Sequence, residues 1–132
     1  MPPEVTVRRR IVWFDTDASG KYHNTAPFRL MEEAEAALLD HLGIVREVYG
    51  WMPRAHVSID YRRPLRFWDE AETMVRVAEV GTTSITYTFE IRTGEEVAAE
   101  GRVVAVYIDE DGRPREWPEE YRRLLDGSSA PS

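Results

Sequence analysis

Asp15, Asp17, His23 and Asn24 share one short stretch, Trp13 to Thr25, together with the small residues Ala18, Ser19 and Gly20. Two acids, an imidazole and an amide at this spacing could hold a cation, move a proton, attack an electrophile or simply shape a turn. Calcium is the first chemistry to test, because Asp15-Thr16-Asp17-Ala18-Ser19-Gly20 imitates the start of an EF-hand loop. The twelfth position should be a bidentate glutamate and is Ala26, and a strand rather than a helix precedes the loop, so that reading fails. His41 and His56 have no partner at metal-ligand spacing, and no metal is expected. Two readings of Asp17 then stand side by side: a turn cap, and a carboxylate aimed at a ligand held over a helix N-terminus.

The second reading needs a strand before the loop and a helix after it. Val5, Val7, Ile11 and Trp13 fall at alternate positions, which predicts a strand from Val5 to Phe14. Arg9 falls on its apolar side, where an arginine stem could snorkel to the edge. A helix is predicted from Ala26 to Leu42, capped by Thr25 or Asn24, with Pro27 in its first turn and Gly43 just past its end. Leu30, Met31, Ala34, Ala37, Leu38 and Leu42 make its apolar stripe. Ile44 to Arg54 reads as a connection with room for one helical turn. Four further strands follow. Ala55, Val57, Ile59 and Tyr61 alternate with His56, Ser58, Asp60 and Arg62 on the first; the others run over 73–77, 83–91 and 97–108, with a hairpin turn at Arg92-Thr93-Gly94-Glu95. Pro118 opens a short C-terminal helix through Leu125. One helix with a single apolar stripe must cover one face of a sheet joined by hairpins. The expected class is therefore α+β, an antiparallel sheet of about five strands wrapped around one long helix. A single domain over 1–126 with a frayed tail over 127–132 completes the organisation.

Composition narrows the function. With 132 residues the chain has room for one real core. Its net charge of −7 argues against general nucleic-acid binding or an anionic membrane surface, although locally grouped arginines could still take an anionic small molecule. There is no cysteine, which removes disulfides, thiolate metal sites and a cysteine nucleophile, and suits a cytoplasmic protein. No signal-peptide pattern and no membrane-spanning run are present.

Phe14-Asp15-Thr16-Asp17-Ala18-Ser19-Gly20, followed by Phe28-Arg29-Leu30-Met31-Glu32-Glu33-Ala34, resembles the hotdog-fold acyl-CoA thioesterases of the 4-hydroxybenzoyl-CoA thioesterase-like group. Weaker matches lie at Tyr61-Arg62-Arg63-Pro64-Leu65 and Asp109-Glu110-Asp111-Gly112-Arg113-Pro114, and the resemblance runs from about Thr6 to Leu125. It implies a hotdog fold, a homodimer or homotetramer with shared sites, and hydrolysis of an acyl-CoA or acyl-carrier-protein thioester without a cofactor. It places the catalytic carboxylate on Asp17 and leaves Asp15 structural. Counting without gaps, Asn24 stands where some relatives carry a catalytic histidine, and His23 lies one residue earlier. Trp68 stands where relatives usually have a small residue, before Asp69.

Thioester hydrolysis needs a nucleophile or activated water, and donors for the oxygen that becomes negative. The expected catalytic set is Asp17, Asn24 and Glu32, with backbone N–H groups near Tyr22 to Asn24 polarising the carbonyl. Tyr22, His23, Thr25, Trp13 and Ser58 are expected to contact substrate. Arg62, Arg63 and Arg66 are expected to meet coenzyme A phosphates, which guanidinium forks suit. A hotdog hydratase or dehydratase, or an acyl-CoA-binding domain without turnover, would use the same scaffold.

Overall fold

A computed structural model describes residues 2–131. Five strands, β1 (Glu4–Arg10), β2 (Arg54–Tyr61), β3 (Glu70–Val80), β4 (Ser84–Thr93) and β5 (Glu96–Val106), form one antiparallel sheet in the order β1-β3-β4-β5-β2. Three helices accompany it: α1 (Ala26–His41), α2 (Val45–Val48) and α3 (Glu119–Asp126). This is the hotdog arrangement expected from the sequence, and no described helix is long and apolar enough to cross a membrane.

α1 follows its stripe. Leu30, Met31, Ala34 and Leu38 are buried against the inner sheet residues Val75, Val77, Ile85, Tyr87, Phe89 and Val103, and each large apolar side chain so buried contributes on the order of 2 kcal/mol. Pro27 sits in the first turn and Gly43 adopts φ +81° just past the end, as its missing Cβ permits. Thr25 occupies the cap position without a side-chain cap bond. Gly101 on β5 is required for a different reason. A Cβ there would overlap the Ser58 carbonyl oxygen and lie 2.8 Å from the Phe89 ring.

Three expectations need correction. The later strands are not a simple run of hairpins: β2 pairs with β5 at one edge, and residues 62–69 carry the chain across to β3 near the other. β1 ends at Arg10, and Trp13–Asp15 forms a 3-10 turn instead of continuing the strand, which leaves Trp13 76% exposed. On β2 the ladder shifts between Arg54 and His56, a bulge that turns Ala55 outward and brings the Arg54 side chain against α1. Period-2 reading cannot see a bulge, since the extra residue reverses the parity of everything before it.

Candidate active site

Arg9 lies on the inward side of β1, but its guanidinium does not reach for solvent. Nη1 donates to Asp15 Oδ2 at 2.7 Å and Nη2 to Oδ1 at 3.1 Å, while Nε and Nη2 donate to the two carboxylate oxygens of Glu33 on α1 at 2.6 and 3.0 Å. The Val12 N–H donates to Asp15 Oδ2 at 2.8 Å, and Arg29 Nη2 stands 3.7 Å from Oδ1. Asp15 is 2% exposed. Burial by itself would raise its pKa, but the Arg9 hydrogen bonds, the Val12 N–H and the two guanidinium charges outweigh it and hold the carboxyl below its usual range. One carboxylate thus ties β1, the turn and the start of α1 together.

Asp17, two residues on, is exposed. Its Oδ1 accepts from the Ser19 hydroxyl at 2.6 Å and the Ser19 N–H at 2.8 Å, and these bonds, with a lesser contribution from His23, also lower its pKa. Oδ2 has no hydrogen-bond partner among the described residues. The turn closes through Gly20 N–H to Asp17 O at 3.0 Å and Asp17 N–H to Lys21 O at 3.1 Å, with Gly20 at φ +80°.

A cleft of about 480 Å³ opens beside this turn, lined by Asp17, Ser19, Lys21, Tyr22, His23, Asn24, Tyr61, Arg62, Arg63 and Pro64. Of the donors expected near the carbonyl, two are engaged: Tyr22 N–H donates to Leu65 O at 2.7 Å, and His23 N–H donates to Asp15 O. The next, Asn24 N–H, has no partner among the described residues, while Asn24 O accepts from the Tyr61 hydroxyl. His23 Nδ1 accepts from Thr25 N–H at 3.1 Å and lies 2.8 Å from Thr25 Oγ1, so Nε2 carries the proton of a neutral ring. The Tyr22 hydroxyl is buried without a partner among the described residues. Burial first, then Tyr61, pushes its pKa up to about 12, so it stays a neutral donor.

Sequence reasoning gathered several residues that the fold separates. Asp17, Tyr22, His23, Asn24, Arg62 and Arg63 do line the cleft. Arg62 lies 3.6 Å from Glu100, and Arg63 pairs with Glu96. Trp13 points to solvent and Thr25 serves His23, so neither lines the cleft. Arg66 lies outside it as well; its N–H donates to Asp69 Oδ2 at 2.9 Å. Ser58 alternates to the outer face of the sheet and lines a different depression there. Glu32 faces away from the cleft and lies 3.5 Å from Arg54. Trp68 adopts φ +72°, a left-handed conformation costly for a bulky side chain.

Glu35 was missed altogether. It is fully buried and paired through both oxygens with Arg54, at 2.9 Å from Nη1 to Oε2. Its signal was present: Met31, Glu35, Leu38 and Leu42 share one helical face, so an acid interrupts the apolar stripe.

A carboxylate with a free oxygen, beside an unpaired N–H ahead of a helix, suits acyl transfer. The model of the thioesterase-like superfamily matches residues 11–125. The chain belongs to this superfamily. Membership bears out the expected enzyme class, a thioesterase on a hotdog scaffold. The chain is 29% identical to a 1,4-dihydroxy-2-naphthoyl-CoA hydrolase of Prochlorococcus marinus (strain MIT 9303), across 96% of this chain and 93% of the relative. A thioesterase from Thermus thermophilus, solved in complex with coenzyme A and Zn, superposes with a TM-score of 0.85 at 28% identity, over 93% of this chain and 92% of that one. A predicted thioesterase from Bacillus stearothermophilus shares the fold, with a TM-score of 0.85 at 22% identity over 98% of each chain.

Proposed function

We propose that this protein hydrolyses an acyl-CoA thioester, consuming one water and releasing a carboxylic acid and the free thiol of coenzyme A, with Asp17 as the reacting carboxylate. The observation that carries the proposal is the free Asp17 Oδ2 at a cleft that also holds the unpaired Asn24 N–H. The carboxylate is a weak base but fully ionised at neutral pH, which suits attack on the carbonyl carbon or orientation of the attacking water. Either route places negative charge on the former carbonyl oxygen, and Asn24 N–H is the backbone donor available to it. Tyr22 lines the same cleft, with its neutral hydroxyl buried. His23, with Nε2–H directed away from Thr25, is suited to hold the substrate rather than to take its proton. The chemistry draws on no cofactor.

Arg62 and Arg63 are proposed to meet coenzyme A phosphates, exchanging their exposed glutamate partners for a dianion. The named activity of the Prochlorococcus relative and the coenzyme A carried by the Thermus structure support the substrate class. The unpaired edges β1 and β2 support self-association into a dimer or tetramer.

The test is thiol release from acetyl-, hexanoyl-, benzoyl- and decanoyl-CoA by the wild type and by Asp17→Asn. Turnover of at least one ester, lost in a folded Asp17→Asn variant, is the expected result. Equal turnover in the two proteins would move the chemistry away from this loop.

A further inference from the structure

α1 and β2 are tied at two places. At one, Tyr61 on β2 donates to the carbonyl oxygen of Asn24, just ahead of α1; at the other, Arg54 on β2 meets Glu32 and Glu35 on α1. The active-site cleft opens at the first tie. Between the two, a second, partly open cavity of about 130 Å³ is lined by Phe28 and Met31 from α1 and by Val57, Phe89 and Val103 from the sheet, with Glu32 and Arg54 at its far side. Phe28 is one helical turn beyond Asn24, and Val57 is four strand residues from Tyr61, so cleft and cavity follow one helix–strand seam.

What stands at that far side is a charged group tied to a buried acid rather than a hydrophobic wall. The bulge at Ala55 carries Arg54 inside, where Glu35, with no exposed surface, takes two of its N–H groups. The Tyr87 hydroxyl is buried beside the pair, next to Glu35. A chain continuing past Arg54 into the interior would have to lift it off Glu35 and strand a carboxylate out of water. That is a far larger cost than the gain from burying another methylene. An apolar cavity of about 150 Å³ accepts a benzene ring, which sets the size of what fits here.

We propose that Arg54, held by Glu35, is the specificity-determining stop of the acyl site. The acyl group of a thioester placed at Asp17 runs along the α1–β2 seam and ends in the 130 Å³ cavity. The site therefore takes acyl groups of about ring or six-carbon size and rejects long saturated chains. This rests on the thioesterase reading above, and it assigns Glu32 to the acyl end rather than to the reacting carbonyl.

Two variants test it, both checked for folding by circular dichroism and thermal melting. Replacing the pair by leucines (Glu35→Leu with Arg54→Leu) removes the stop while keeping the interior apolar, and Val57→Phe fills the cavity. The wild type should show kcat/KM for benzoyl- or hexanoyl-CoA at least ten-fold above decanoyl-CoA. The double variant should raise the decanoyl-to-benzoyl ratio about ten-fold, and Val57→Phe should lower benzoyl relative to acetyl turnover by a similar factor. Unchanged ratios in either folded variant would overturn the stop. If the double variant fails to fold, Val57→Phe decides alone. If the wild type hydrolyses no ester, the thioesterase reading fails, and calorimetric binding of benzoyl-CoA against decanoyl-CoA in the same proteins still upholds or overturns the stop.

Discussion

Asp15 and Asp17 are two residues apart and live in opposite surroundings. Asp15 is buried, and both of its oxygens are committed to Arg9, with the Val12 N–H sharing one of them. Asp17 stands in solvent with one oxygen held by Ser19 and the other free. Both carboxyls are held below their usual range, but for different reasons. Burial opposes ionisation of Asp15 and is overcome by guanidinium charge; at Asp17 hydrogen bonds from one neighbouring serine suffice. A lowered carboxyl pKa therefore does not distinguish the two acids. An unsatisfied oxygen at a cleft does.

The comparison can be broken most directly by making the same substitution at both positions. Asp17→Asn should cost about 10²–10⁴-fold in kcat/KM on the preferred acyl-CoA, the range for loss of a positioned acid–base or nucleophilic group, with the melting temperature close to wild type. Asp15→Asn should do the reverse in kind. It leaves the Arg9 guanidinium half-buried against an amide, and denaturant unfolding should show a loss of about 3 kcal/mol, as for breaking one side of a buried pair. A stable Asp15→Asn protein without turnover would exchange the two roles.

Acid titration sharpens the contrast further. Because the native Asp15 pKa is depressed, the unfolded chain takes up that proton first as pH falls. Its contribution to stability is complete above about pH 4, the ordinary carboxylate value, and disappears as pH drops through the lowered native value. Chemical denaturation of the wild type from pH 6 to pH 3 should show this loss, and Asp15→Asn should flatten the profile. The smallest effect is expected from Ser19→Ala, which removes the leading cause of the lowered Asp17 pKa. The acid limb of kcat/KM should move up in pH toward the ordinary carboxylate value, with the plateau near neutrality little altered. An acid limb that stays in place would detach Ser19 from the reacting group.

Much of this was legible in the residues themselves. Three- and four-residue apolar spacing, Pro27 in the first turn and Gly43 past the end marked α1 to within a residue, because helix formation answers to local periodicity and end chemistry. The later strands were legible for the same reason. The Asp15–Gly20 loop, with the helix after it, was enough to indicate the superfamily. What could not be read were relations between distant parts of the chain. β2 could have paired with β3, its neighbour in sequence, and pairs with β5 instead. Ser58 and Trp13 had the right types for a site, but strand parity and the turn at Trp13–Asp15 send them elsewhere.

Arg9 and Arg54 show the limit most clearly. Along the sequence one is a cation interrupting a strand and the other a residue near a proline, and neither announces a partner. Only when β1, β2 and α1 pack do their guanidinium groups fall against Asp15, Glu33 and Glu35. Local sequence determined which segments are helix or strand and which loop carries the acids, since those depend on near neighbours. Which acid is buried, which oxygen stays free and what lines the cavity beside α1 were decided by tertiary packing, because desolvation and ion pairing depend on what the rest of the chain brings alongside.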